Sequence, residues 1–309
     1  MSDLLKHLGY HKKWHASIQS WRKRISFSIN ENIIQNIFNS ININKGNFVE
    51  FGAWDGIKNA NSRNLFLNGW SGLYIESDLN RFDELKKIYK NEDRIYTSNI
   101  FVNTTTNLLD SIINNTINDE IHFMSIDIDG LDLEIFKSIN IFLPIVVCIE
   151  GGQILEPYHN TVSNDIAKNN IQQSLHEMNL IFKSKGYVLL CSYQDSFFIK
   201  KEYANKFKID DDIFNLYIDG LIAYPRIPYI KSLLDNNNLE NRIINFIIKD
   251  INKKEIDSLA KYGSVEQKSE WIDNNYNHIK KKLLELKKIR TIYPYDKYNE
   301  RLWKQVSTD

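Results

Sequence analysis

Four short apolar runs end in, or one residue past, a carboxylate: Phe48-Val49-Glu50, Leu73-Tyr74-Ile75-Glu76, His122 to Asp127, and Ile145 to Glu150. An acid inside a strand core would be costly, whereas an acid at a strand tip faces a crevice. In an open α/β sheet, ligands bind beyond the carboxyl ends of the strands, so this repeated placement points to one ligand site. The first tip continues as Glu50-Phe51-Gly52-Ala53-Trp54-Asp55-Gly56. Two glycines four apart let backbone approach a ligand closely. Glu50 and Asp55 would repel a phosphate and welcome a cation. The turn is neither G-x-G-x-x-G nor a P-loop, so a pyrophosphate cradle is not supported. A plain tight turn is the bland alternative, and it stays open. Glu76 lies 24 positions after Gly52, near the ~20-residue spacing at which an acid grips both ribose hydroxyls in nucleotide-binding α/β domains. Asp78 substitutes if the register slips by two.

The elements that position these acids alternate. Helix-type periodicity, with Ile33, Ile34, Ile37 and Phe38 on one face, precedes the first run. Residues 61–68 and 80–90 read as helices, the latter with Phe82, Leu85 and Ile88 on one stripe. Residues 94–97 form a weak third strand, 108–113 a helix and 172–185 a helix. Tyr187 to Tyr193 and Ser196 to Lys200 close the pattern as a strand pair joined tightly near Asp195. Short apolar strands between helices predict an α/β fold with a doubly wound, mostly parallel sheet, and the last pair predicts an antiparallel edge hairpin. Past about residue 215 the pattern becomes helical and Lys-rich. The organisation is therefore 1–44 as a helical extension, 45–215 as the ligand-binding domain, and 216–309 as a helical C-terminal appendage carrying Tyr224-Pro-Arg-Ile-Pro228.

Val49 to Gly56, then Asn68-Gly-Trp-Ser-Gly-Leu-Tyr-Ile-Glu-Ser-Asp78, Ser125-Ile-Asp-Ile-Asp-Gly-Leu-Asp132 and Ser184-Lys-Gly-Tyr-Val-Leu-Leu190 resemble the class I S-adenosylmethionine-dependent methyltransferases, and most of all the FkbM-type group. The resemblance spans roughly residues 45–202. It implies a Rossmann-like methyltransferase fold, S-adenosylmethionine as cofactor, and O-methylation of sugars or natural products. It places Glu50, Gly52 and Gly56 around the methionine part of the cofactor, Glu76 on the ribose hydroxyls and Asn99 near the adenine; Asp127, if it holds no metal, reads as a cofactor- or substrate-side acid. Acids beside a sulfonium agree with the reading of the residues themselves.

The fourth tip, Asp127-Ile128-Asp129-Gly130, is the candidate reaction centre. Strand alternation puts Asp127 and Asp129 on one side if the strand continues that far. Methyl transfer to a hydroxyl needs in-line alignment and removal of the hydroxyl proton. Asp127, Asp129 and His159 are the candidate catalytic residues. A carboxylate removes the proton directly or through a metal that acidifies the alcohol. Asp127, Glu150 and His159 are the candidate ligands, an oxygen-rich set suited to Mg²⁺ or Mn²⁺. The chain departs from the acidic pair of metal-using sugar methyltransferases after strand five, having Glu150-Gly151-Gly152 instead. Metal and metal-free readings both stay open. Trp54 and Trp70 read as packing residues, with stacking against an adenine or a sugar as the minority reading.

Composition narrows the classes. The chain has 309 residues with 39 Lys+Arg against 39 Asp+Glu, so no overall field draws it to nucleic acid. Only two cysteines occur, Cys148 and Cys191, both in apolar runs, which fits a reduced cytoplasmic location. No apolar stretch suits a signal peptide or a membrane span. No nucleophile elbow or Cys/His pairing stands out, which disfavours covalent hydrolysis. The function expected is methylation of a sugar hydroxyl on a surface glycan, nucleotide sugar or related metabolite. The partner is a small-molecule or glycan acceptor, and self-association is left open. An RNA methyltransferase and a non-catalytic cofactor-binding module are the alternatives.

Overall fold

The structure, a computed structural model, describes residues 29–102, 110, 113, 116, 117, 119–152, 173–192, 195–213, 215–217, 220 and isolated positions between 255 and 281. Helix α1 (Ile29–Ser40) leads into β1 (Asn47–Phe51), α2 (Arg63–Leu67), β2 (Ser71–Glu76), α3 (Leu79–Ile88) and β3 (Ile95–Asn99). Then come β4 (Phe123–Ile126), α4 (Asp132–Ser138), β5 (Val146–Glu150), α5 (Leu175–Ser184), β6 (Tyr187–Ser192) and β7 (Asp195–Lys200), followed by a 3-10 turn over Lys201–Lys206.

The strands form one sheet in the order β3-β2-β1-β4-β5-β7-β6. Strands β1 to β5 pair in parallel. β7 runs antiparallel to both β5 and β6, so the hairpin folds its second strand inward. The expected doubly wound, Rossmann-like sheet with an antiparallel edge is therefore present. Strand order reverses between β1 and β4, the switch point at which such sheets open a crevice.

Both faces are covered, which is why β1, β2, β4 and β5 are apolar almost without interruption. On one face, α4 and α5 bring Leu133, Phe136, Met178 and Phe182 onto Val49, Met124 and Val147. Trp271 and Leu216 of the C-terminal helical positions join this same cluster. On the other face, Ile33, Ile34, Ile37 and Phe38 of α1 pack with Phe48, Trp70 and Phe123. Trp70 is a core residue, as its type suggested, and its indole N–H donates to the Asn44 carbonyl at 3.0 Å. Helix α3 differs from the expected stripe: Leu85 and Tyr89 are buried while Ile88 is 41% exposed. The i, i+4 spacing of Leu85 and Tyr89 puts those two on the sheet side.

Two helices start on side-chain caps. Asp78 accepts from the Arg81 amide, and Ser174 from the Glu177 amide, the latter in a Ser-x-x-Glu pattern. Cys148 and Cys191 are free and buried. Among the described residues no helix is long and apolar enough to cross a membrane.

Candidate functional site

The carboxyl ends of β1, β2 and β4 and the stretch after β3 enclose a cleft of about 470 Å³, within the range of small-ligand sites. Its floor exists because β1 and β4 end in close contact. Gly52 adopts φ 74°, and a Cβ built there would stand 1.8 Å from the Asp127 carbonyl oxygen. Only glycine fits both the backbone angle and the gap.

Glu50 and Glu76 are buried, at 3% and 4% exposure, and both line the cleft. Each also builds it. Glu50 Oε1 accepts the Asn61 amide at 2.8 Å, and Oε2 accepts the Ser62 amide at 3.1 Å and the Ser62 hydroxyl. Glu50 thus ties the β1–α2 connection to the strand end. Burial pushes its carboxyl above the ordinary value, and those three hydrogen bonds pull it partly back. Glu76 accepts the Trp54 amide on Oε2 and the Asp78 amide on Oε1, both at 2.8 Å. Each carboxylate oxygen has two acceptor sites, so Glu76 keeps one on each oxygen for a pair of ligand hydroxyls.

Two of the expected cofactor residues stand apart from the cleft surface. Gly56 faces α3: a Cβ there would meet Tyr89 at 2.5 Å, and its carbonyl accepts the Tyr89 hydroxyl at 2.7 Å. Asn99 turns its amide onto the carbonyls of Glu76 and Ser77, at 2.9 and 3.2 Å, and so braces the strand end carrying Glu76. The apolar wall beside it comes from the next residues, Ile100, Phe101 and Val102, with Phe101 74% exposed. Trp54 departs from the packing role expected of it. It lies in the left-handed region at φ 51°, is half-buried and lines the cleft.

Asp127 and Asp129 come together by a different route from strand alternation. Strand β4 stops at Ile126, and the chain turns through Asp129 at φ 60° and Gly130 at φ 141°. Asp132 fixes this turn: its carboxylate accepts the Ile128 amide at 2.8 Å and the Gly130 amide at 3.0 Å. Burial pushes Asp132 up to about 7, partly offset by the Ile128 hydrogen bond. One carboxylate oxygen each from Asp127, Asp129 and Glu150 lies within 4.8 Å of the others. Asp195, opposite Glu150 in the β5–β7 register, adds a fourth acid at the same corner. Surrounding protein first, then Glu150, Asp195, Asp132 and Asp129, raise the Asp127 carboxyl well above the usual range, although the residue remains open to solvent. His159 and Tyr224 to Pro228 lie outside the described residues.

Beneath the acids runs a buried polar network absent from the sequence reading. Asn30 of α1 donates to Asn61 and Asp195, and Asn61 donates to the Ser125 hydroxyl at 2.9 Å. The only sequence signal for it is polar residues, Asn30 and Glu31, at the start of an otherwise apolar helix face. Chemically, the arrangement offers hydroxyl acceptors at β2, an apolar wall after β3, and a negative corner between β4 and β5. That combination suits an adenosine-type ligand with a positive centre at the negative corner.

A family model described as "Methyltransferase FkbM domain" matches residues 11–189, more than half of the chain. Among solved structures, the chain is similar to a SAM-dependent methyltransferase from Aquifex aeolicus, at 10% identity and TM-score 0.36, covering 60% of this chain and 95% of that one. It is also similar to M. capricolum TrmK in complex with S-adenosyl-homocysteine, at 14% identity and TM-score 0.38, covering 77% of this chain and 96% of that one. No curated protein matches the chain.

Proposed function

The chain belongs to the FkbM-domain methyltransferases, which makes it an S-adenosylmethionine-dependent enzyme, and from that premise we propose that it methylates a sugar hydroxyl in the cleft above β1 and β4. The observation that carries the reading is Glu76: a buried strand-end carboxylate with one acceptor site left on each oxygen, at the rim of a cleft whose opposite corner is negative. When bound, the cofactor supplies a methyl group on a positively charged sulfur. The residues present fit it, because three carboxylates favour that charge and Gly52 lets the backbone come close.

Glu76 holds the ribose hydroxyls, and Ile100 to Val102 cover the base. Glu50 acts through Asn61 and Ser62, holding the β1–α2 connection that shapes the methionine end. Asp127 takes the proton from the acceptor hydroxyl. Burial and the neighbouring acids raise that carboxyl, so its ionised form holds a proton more tightly than an ordinary aspartate does. Asp129 and Glu150 keep that corner negative.

A second reading has one specific support. The Asp127, Asp129 and Glu150 oxygens are close enough to hold one hard divalent cation such as Mg²⁺ or Mn²⁺, which would lower the acceptor's pKa in place of a free base. The buried thiols Cys148 and Cys191 fit a cytoplasmic enzyme.

The test is calorimetric titration of S-adenosylhomocysteine, paired with transfer of labelled methyl from S-adenosylmethionine to a panel of sugars, nucleotide sugars and RNA, with Mg²⁺ and with EDTA. Glu76→Gln is expected to weaken S-adenosylhomocysteine binding at least tenfold. Asp127→Asn is expected to keep binding and lose turnover. Wild-type protein that binds no S-adenosylhomocysteine would overturn the cofactor site, and labelling of RNA alone would overturn the sugar.

A further inference from the structure

Among the described residues, Lys58 and Arg81 line the cleft without a carboxylate partner. Lys58 Nζ stands 3.9 Å from the centre of the Trp54 ring, and the Arg81 guanidinium carbon 4.0 Å from the same centre. An indole face holds a cation in place but does not neutralise it. The nearby acids are turned elsewhere. Asp55 accepts the backbone amides of Ile57 and Lys58, Asp78 accepts the Arg81 amide, and Glu76 accepts those of Trp54 and Asp78. Each of these carboxylates accepts backbone amides, and none of them pairs with the Lys58 or Arg81 side chain.

The cleft is therefore bipolar. Asp127 and Asp129, with a Glu150 oxygen within 4.8 Å of theirs, form its negative corner beside β4, and Lys58 and Arg81 its positive edge beside β2 and α3. A positively charged sulfur is drawn to the first and repelled by the second. Something negative belongs at the positive edge. We infer that Lys58 and Arg81, held on Trp54, anchor an oxyanion carried by the acceptor, so that the substrate is an anionic sugar rather than a neutral glycan. A phosphate ester, a nucleotide-linked sugar or a carboxylate-bearing sugar each supplies that group. The inference rests on the methyltransferase reading of the same cleft. It adds what that reading lacks, a feature that selects the acceptor.

The experiment titrates inorganic pyrophosphate into the full chain saturated with S-adenosylhomocysteine, at low ionic strength, followed by calorimetry. Saturable binding is expected, at least tenfold weaker in Lys58→Gln/Arg81→Gln and weakened by added salt. Lys58→Arg keeps most of it. Both side chains are exposed, so the double variant is expected to fold, and its melting curve verifies this. S-adenosylhomocysteine affinity should change less than twofold. Absent pyrophosphate binding, or equal binding by the double variant, overturns the inference. So does a double variant that loses S-adenosylhomocysteine but keeps 5′-methylthioadenosine, since the anion would then be the cofactor's own carboxylate. If the wild-type chain binds no S-adenosylhomocysteine at all, the cofactor reading falls instead, and the same titration of the free chain decides the anchor separately.

Discussion

Replacing Glu31 by Gln should change how the stability of the chain depends on pH. Glu31 sits on α1 at 5% exposure, beside Glu50. Its carboxyl is raised from 4.5 to about 8, first by burial and then by repulsion from Glu50, with Arg63 and the Asn64 amide offsetting only part. Between those two values the folded chain keeps a proton that the unfolded chain releases. Stability is therefore complete below the lower value, falls as pH rises towards the upper one, and levels off beyond it. Each pH unit in that window costs at most about 1.4 kcal/mol, so the whole window is worth about 5 kcal/mol as a ceiling. Water reaching the helix start and a higher effective dielectric reduce this to about 2–3 kcal/mol. Gln keeps the shape and removes the titration. Urea unfolding of both proteins at intervals from about pH 5 to about pH 9 measures the difference. Glu31→Gln should gain on the wild type by about 2–3 kcal/mol across that range. Asp132 titrates with the same sign in both proteins, so it cancels from the comparison. Two parallel stability curves would refute a neutral, buried Glu31.

Gly52→Ala places a methyl 1.8 Å from the Asp127 carbonyl at φ 74°. It should cost about 3 kcal/mol or more and abolish S-adenosylhomocysteine binding; an unchanged melting temperature with normal binding would show that the two strand ends separate easily. Lys185 donates to the carbonyls of Lys137 and Ile139 and to the Asn140 side chain, closing the end of α4. Lys185→Met should therefore lose about 1–3 kcal/mol in chemical unfolding while leaving cofactor affinity unchanged.

The strand-end acids were legible because an apolar run interrupted by one carboxylate has few structural explanations. Glu50 and Glu76 stand at the ends of β1 and β2 for that reason. The partners of those acids were not legible. Nothing in Asn61-Ser62 announces that its amides close on Glu50, since a loop polar residue has the same composition whether it binds protein or water. Asp129 reached its place through a left-handed turn set by Asp132, which period-two reasoning cannot foresee. Asp195 read as a hairpin turn but begins β7 opposite Glu150. Trp54 misled because its backbone angle, rather than its hydrophobicity, decides where the ring goes.

The bond from Asn30 to Asp195 joins residues 165 positions apart. At about 5–20 residues per second of synthesis, Asn30 leaves the ribosome roughly 10–30 s before its partner does. From the completion of β5 at Glu150 until β7 begins at Asp195, the outer edge of β5 is bare, because β7 fills it only after β6 has been made. The acidic corner is also missing Asp195 until then. A nascent chain therefore carries the ribose-side half of the cleft early and its reaction-side half last. An exposed central strand in the meantime is a target for a holding chaperone or for a neighbouring chain on the same messenger.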